Sequence, residues 1–276
     1  MSLFSCFFSN LFRAVLLITS LFACAANATT VQFQTVMGNI EVNLFDTTTP
    51  ETVSNFLAYV NSGAYNNSII HRSVRVTNTD GSTRGFVVQG GQYTYDGAFP
   101  LKKIVTSSAV KNEPVYSNLR GTIAMAKISG KPDSATSQWF FNLHNDNAAA
   151  LDSNNGGFTV FGQVTAESLP VLDAMNAENI FSMGAELAEL PLRNYTVTDY
   201  QNNALVDDNN LILVTAVLVL NASPDTASGL NPTKNTLLAE SKKSGGGGGG
   251  SLGFIELSLL LILFFMSRKT LLFRRK

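Results

Sequence analysis

Between residues 29 and 222 the chain alternates short apolar and β-branched runs with turn formers, the rhythm of antiparallel strands and not of repeated βα units. Val31-Gln32-Phe33-Gln34-Thr35 and Ile40-Glu41-Val42-Asn43-Leu44-Phe45 flank Gly38-Asn39, which predicts a hairpin. A helix follows, with Thr49 as its N-cap, Pro50 at the first helical position, Glu51 in the first turn and Gly63 as its stop. Its apolar stripe is Val53, Phe56, Leu57 and Val60. Pro170, Val171, Leu172 and Met175 predict a second helix, and Leu211 to Leu220 a last strand buried on both faces. Residues 181–210 carry no clear period and read as a variable loop region, and no internal repeat is present.

The two ends follow other rules. Ala14 to Ala23 is apolar, preceded by Arg13 and followed by Ala26-Asn27-Ala28, which reads as a signal peptide over residues 1–28 with its cleavage pattern. An uncleaved helix, or lipidation at Cys24, is the alternative. The domain is expected over 29–222. Residues 223–250, rich in Ser, Ala, Asn, Gly and Lys and ending in Gly245 to Gly250, read as a flexible linker. Within 251–276 an apolar run from Leu252 to Met266, broken by Glu256 and Ser258, precedes a basic tail that is expected to stay cytoplasmic, so this segment is expected to reach the membrane.

Charge and residue usage narrow the chemistry. Residues 29–250 hold 13 Lys and Arg against 19 Asp and Glu, a formal charge of about −6, which argues against nucleic acid as a partner. Both cysteines, Cys6 and Cys24, fall in the signal segment, so folding of the exported chain is expected to need no disulfide. With His71 and His144 the only histidines and no HExxH motif, neither a metal site nor a hydrolytic triad finds support, and no cofactor is expected.

Several segments occur in a fixed order: Ile70-His71-Arg72, Gly85-Phe86-Val87-Val88-Gln89-Gly90-Gly91, Gly121-Thr122-Ile123-Ala124-Met125-Ala126, Ser134 to Leu143, Leu151-Asp152, and Phe158-Thr159-Val160-Phe161-Gly162. This order resembles the cyclophilin family, closest to its bacterial periplasmic branch, over residues 31 to about 220. The resemblance implies a mostly β fold, a closed eight-stranded antiparallel barrel capped by two helices, and peptidyl-prolyl cis-trans isomerase activity on Pro-containing polypeptides. The C-terminal glycines, apolar run and basic tail resemble the GlyGly-CTERM sorting signal of Gram-negative bacteria, which implies processing by a rhombosortase-like protease. Retention as a tail anchor is the alternative. The expected location is the periplasmic face of the inner membrane, with release or surface attachment after cleavage.

Isomerisation needs neither nucleophile nor base. Partial double-bond character holds the peptide bond planar behind a barrier of roughly 18–20 kcal/mol, and a donor aimed at the prolyl nitrogen favours the twisted state in which that nitrogen turns basic. The resemblance gives this role to Arg72, whose planar guanidinium keeps its charge. By the same correspondence Gln89 and Phe140 complete the catalytic set. Phe86, Val87, Phe140, Leu151 and Phe158 line the slot for the proline ring. Gln138, like Gln89, either bonds the substrate backbone or holds Arg72. Ala126 and the backbone of Lys127 form the groove edge. Because alternate strand residues face opposite sides, Trp139 and Phe141 are expected in the core and Phe140 in the slot.

Four positions depart from the family pattern. Ala150 stands where cyclosporin-sensitive members carry Trp, Val87 replaces Met, Phe158 replaces His or Tyr, and Trp139 replaces Phe. Drug binding is therefore expected to be weak. An intact Arg72 favours an enzyme over the main alternative, a module that holds Pro-containing segments with little turnover.

Overall fold

The structure, a computed structural model, describes residues 29–222 and 230–238. The expected signal peptide with both cysteines, the glycine run and the segment 251–276 lie outside the described residues. Thr30–Thr35 (β1) and Gly38–Leu44 (β2) make the expected hairpin, with Thr35 opposite Gly38. Gly38 adopts φ +124° there, a conformation that favours glycine. Alternate residues Val31, Phe33, Ile40, Val42 and Leu44 are buried and turn one face of the hairpin to the core.

Helix α1, Pro50–Asn61, has Pro at its start and is followed by Gly63 at φ +71°. Thr49 does not cap it. The Thr49 hydroxyl donates to the Phe45 carbonyl at 3.2 Å. The first-turn N–H groups of Glu51 and Thr52 donate instead to the carboxylate of Glu113, at 3.3 and 2.9 Å. A negative group from 61 residues downstream thus meets the positive end of the helix.

The remaining strands are Ser68–Ile69 (β3), Arg72–Thr77 (β4), Thr83–Gly90 (β5), Tyr93–Thr94 (β6), Lys102–Lys103 (β7), Thr122–Met125 (β8), Trp139–Asn142 (β9), Val160–Val164 (β10), Asn179–Phe181 (β11), Leu190–Leu192 (β12) and Leu213–Asn221 (β13). They build a curled antiparallel half-barrel of eleven strands in the order β4-β5-β9-β8-β10-β2-β1-β13-β3-β6-β7, with β11 and β12 paired apart from it. The expected eight strands closed into a barrel are not what the ladders record. Two local causes raise the count. The stretch 68–77 changes partner at Ile70-His71: the Ile70 N–H donates to Ile212, the His71 N–H to Gln89, and one run becomes two strands. The β6–β7 hairpin then adds two short strands beyond β3.

Two further helices are Asn147–Leu151 (α2) and Leu169–Ala177 (α3), the latter burying Leu172 and Met175 as the sequence predicts. The main core lies between the sheet and α1, around Phe33, Phe56, Tyr65, Trp139, Phe141 and Phe161. Trp139 packs edge-on against Phe33 at 4.8 Å and Phe141 at 5.2 Å. Space for its indole comes from Gly90 across the ladder, where an added Cβ would sit 2.6 Å from the ring.

Three regions depart from the sequence-based expectation. Strand β13 is buried on one side only, leaving Leu218 and Leu220 largely exposed, because its other neighbours are solvent and not a second layer. Residues 181–210 hold the end of β11, all of β12 and a short helix, Val197–Gln201 (α4), entered through a reciprocal cap between Thr196 and Asp199. They contribute Phe181, Leu190, Leu192 and Tyr195 to a small core completed by Ile69, Tyr93, Tyr95 and Leu211. Residues 230–238, inside the stretch read as linker, lie along the domain: Ser117 N–H donates to the Thr233 carbonyl and Asn235 N–H to the Val115 carbonyl, both at 2.9 Å. Among the described residues no helix is long and apolar enough to cross a membrane.

Candidate active site

Three adjacent strands put Arg72, Gln89 and Phe140 in one row. Arg72 on β4 is opposite Gln89 on β5, and Gln89 is opposite Phe140 on β9, so all three side chains share one face of the sheet. The row continues through Ala124 on β8 to Val160 on β10. Trp139 and Phe141, one residue to either side of Phe140, belong to the main core on the opposite face.

The second wall depends on a bulge. Val74 pairs with Val87 and Arg75 with Gly85, so Phe86 is an extra residue on β5. An extra residue interrupts the alternation, and Phe86 and Val87 consequently enter the same cluster with Phe140, Leu151 and Phe158. The bulge is secured by two donors to the Phe86 carbonyl, the Leu143 N–H at 3.0 Å and the Asn147 side-chain amide at 2.7 Å. Phe140 and Phe158 meet edge to face at 5.8 Å. All five slot residues are nearly buried, and Ala126 packs at their margin.

Along the polar edge runs a chain of hydrogen bonds. Arg72 Nη1 approaches Gln89 Oε1 at 3.4 Å, and Gln89 Nε2 donates to Gln138 Oε1 at 2.8 Å. Ala126 N–H donates to the Gln138 carbonyl, which ties the groove edge to the same chain. Arg72 Nε donates to Glu189 Oε2 at 2.5 Å. Next to it, His71 is fully enclosed and held neutral, its basicity lowered to about 3 by burial and then by the charge of Arg72.

Several contributors were not singled out in the sequence. Buried Asp152 accepts from the Ser117 hydroxyl at 2.5 Å and from both the backbone and side chain of Asn118. The Asn118 amide also reaches the Phe158 carbonyl, Asn142 donates to Asn118, and Asn147 donates to Asn142 and to Phe86. One buried polar chain thereby fixes Leu151's neighbour, Phe158 and Phe86 together. Lys127 differs from its expected part as mere groove-edge backbone: its side chain turns inward, donates to the carbonyls of Asn155 (2.9 Å) and Gly157 (2.6 Å), and lies 4.7 Å over the Phe158 ring. Single Asn residues beside apolar segments, at 118, 142 and 147, were the available signal for the network. No pattern marked Glu189. A separate cleft of about 720 Å³, between α1 and the β6–β7 hairpin, contains none of these residues.

The arrangement offers an apolar slot beside a fixed cation and a row of amides. The family described as "Cyclophilin type peptidyl-prolyl cis-trans isomerase/CLD" matches residues 30–201. The chain is 39% identical over 160 residues to peptidyl-prolyl cis-trans isomerase A of Dickeya dadantii (strain 3937), covering 56% of this chain and 77% of that one. It is 37% identical over 148 residues to peptidyl-prolyl cis-trans isomerase B of Escherichia coli (strain K12), covering 52% and 81%. A solved cyclophilin type peptidyl-prolyl cis-trans isomerase of Cryptosporidium parvum, crystallised with the dipeptide Ala-Pro, aligns over 70% of this chain and 99% of its own at a TM-score of 0.47 and 21% identity. The chain belongs to the cyclophilin-type peptidyl-prolyl cis-trans isomerase family.

Proposed function

We propose that this chain accelerates rotation about X-Pro bonds in exported or envelope polypeptides. The proline ring enters the slot formed by Phe86, Val87, Phe140, Leu151 and Phe158. Gln89 and Gln138 orient the substrate backbone and hold the arginine. Arg72 then donates to the prolyl nitrogen as the amide twists. In the planar amide the nitrogen lone pair is delocalised, so the donor contributes most at the top of the barrier and lowers it selectively. The observation that carries this reading is the single row of cation, amide and aromatic ring across three strands.

The same reading takes residues 1–28 as a removed export signal and 251–276 as a sorting or anchoring segment, cut near the glycines by a rhombosortase-like protease. Its support is the sequence pattern at each end. Mass measurement of the mature chain from its native host decides between cutting and retention.

The activity is tested by following cis-trans conversion of a short X-Pro peptide with the purified protein and with Arg72→Ala. Acceleration that falls at least about tenfold in the variant, roughly 1.4 kcal/mol of transition-state stabilisation, is expected. A parent that binds the peptide but is no faster than buffer would make a Pro-binding module the better reading.

A further inference from the structure

Arg72 is held from two sides. Among the described residues its polar partners are Gln89, a long contact at 3.4 Å, and Glu189, a short one at 2.5 Å on Nε. The short one comes from 117 residues further along the chain. Glu189 directly precedes β12, and its placement does not depend on the side-chain contact alone: the Ser73 N–H donates to the Glu189 carbonyl at 2.9 Å, which fixes the backbone of Glu189 beside β4. Leu190 and Leu192, the residues that follow, are fully buried with Phe181, Tyr195 and Leu211. A small core, shared with Ile69 and Tyr93 of the main sheet, thus ends in one carboxylate aimed at one guanidinium.

We propose that Glu189 is the positioning residue for Arg72, and that the hairpin of β11 and β12 serves the site by delivering it; the proposal rests on the isomerase reading above. A free arginine side chain samples many rotamers, and freezing it during the reaction would raise the barrier. With Nε engaged by Glu189 and Nη1 turned to Gln89, the guanidinium plane is set before substrate arrives, and the Nη2 side of the fork is left for the prolyl nitrogen. The carboxylate also offsets part of the positive charge, which by itself would weaken Arg72 as a donor. Aim and charge therefore predict opposite effects of removing Glu189, and aim is the one proposed.

The test compares the parent with Glu189→Ala and Glu189→Gln in kcat and KM for an X-Pro peptide, and records the Arg72 Nε–H signal by nuclear magnetic resonance. Glu189→Ala should lower kcat at least about fivefold with little change in KM, the signature of an interaction realised in the transition state. Glu189→Gln keeps an oxygen that accepts from Nε and should stay close to the parent. The slowly exchanging Nε–H signal should persist in the parent and in Glu189→Gln and disappear in Glu189→Ala. Unchanged or increased kcat in Glu189→Ala, an equal loss in Glu189→Gln, or an Nε–H signal that survives in Glu189→Ala overturns the proposal. If the parent itself fails to accelerate the peptide, the isomerase reading falls, and the Nε–H signal alone decides whether Glu189 holds Arg72.

Discussion

The side-chain amide of Asn235 donates to the carbonyl of Asp152 at 2.8 Å, joining the segment after the domain to the residue that follows Leu151 in the slot. Lys234 bridges to Tyr116, Leu230 packs against the slot cluster, and Leu238 lies close to Gly157. The segment is a brace on the outer side of the site. Ending the chain after residue 229 removes several hydrogen bonds and the apolar contacts of Leu230 and Leu238, so a loss of about 2 kcal/mol is expected, or roughly 4–8 °C in melting temperature. Thermal denaturation of the truncated and full proteins measures it. An unchanged midpoint would show that the segment rests on the domain without holding it.

The buried asparagines predict a larger effect. In Asn142→Ala the Asn147 amide loses an acceptor and the Asn118 and Thr122 oxygens lose a donor. The Asn147 amide keeps Phe86 and Thr122 keeps Leu119, so the cost is that of three lost buried hydrogen bonds, about 1 kcal/mol each, and a destabilisation of about 3 kcal/mol is expected in urea unfolding. Because Asn147 also secures the Phe86 bulge, the loss should be accompanied by a raised KM.

His71 predicts an acid-side weakness. The fold keeps its imidazole neutral down to about pH 3, whereas the unfolded chain protonates it near 6.5. Between those values the unfolded state binds one more proton, so stability falls as the pH drops, with a contribution of up to about 1.4 kcal/mol per pH unit. His71→Phe retains the edge-on contact with Tyr93 and should flatten this part of the stability profile relative to the parent. Equal slopes in both proteins would mean that the imidazole protonates within the fold.

Lys127 predicts an effect on the alkaline side. Burial lowers its ammonium to about 8, with Asp133 opposing the shift. As the pH rises through 8 the charge over the Phe158 ring disappears, and KM for an X-Pro peptide should rise by about threefold, in line with a contact of ~0.6 kcal/mol. Global stability changes in the other direction. The unfolded chain keeps this proton to about pH 10.4, so raising the pH from 8 towards 10 relieves a burial penalty present only in the folded state. Lys127→Met should show the higher KM at every pH and no step near 8.

What the sequence made legible was local or periodic. The hairpin at Gly38, α1 with its Pro50 start, α3 and the alternation that separates Phe140 from Trp139 and Phe141 all follow from spacing within a few residues. Less legible were features created by meetings across long separations. The cap on α1 comes from Glu113, the second anchor of Arg72 from Glu189, and the brace from residues 230–238, none of which has a local signature. The paired placement of Phe86 and Val87 also escaped alternation, since a bulge breaks the period that alternation assumes. Strand count failed for a related reason: partner exchange at Ile70-His71 leaves no mark in the side-chain pattern.

The pairing of β1 with β13 places the first strand of the domain against the last, about 180 residues apart. A ribosome adding about 5–20 residues per second needs roughly 10–40 s to cover that distance. Throughout this interval one hydrogen-bonding edge of β1 has no partner. The nascent chain therefore cannot complete its sheet as it emerges, and this edge is open to pairing with other strands until its final element is available. An isomerase of this design joins its two outermost strands in sequence only after the last of them is made.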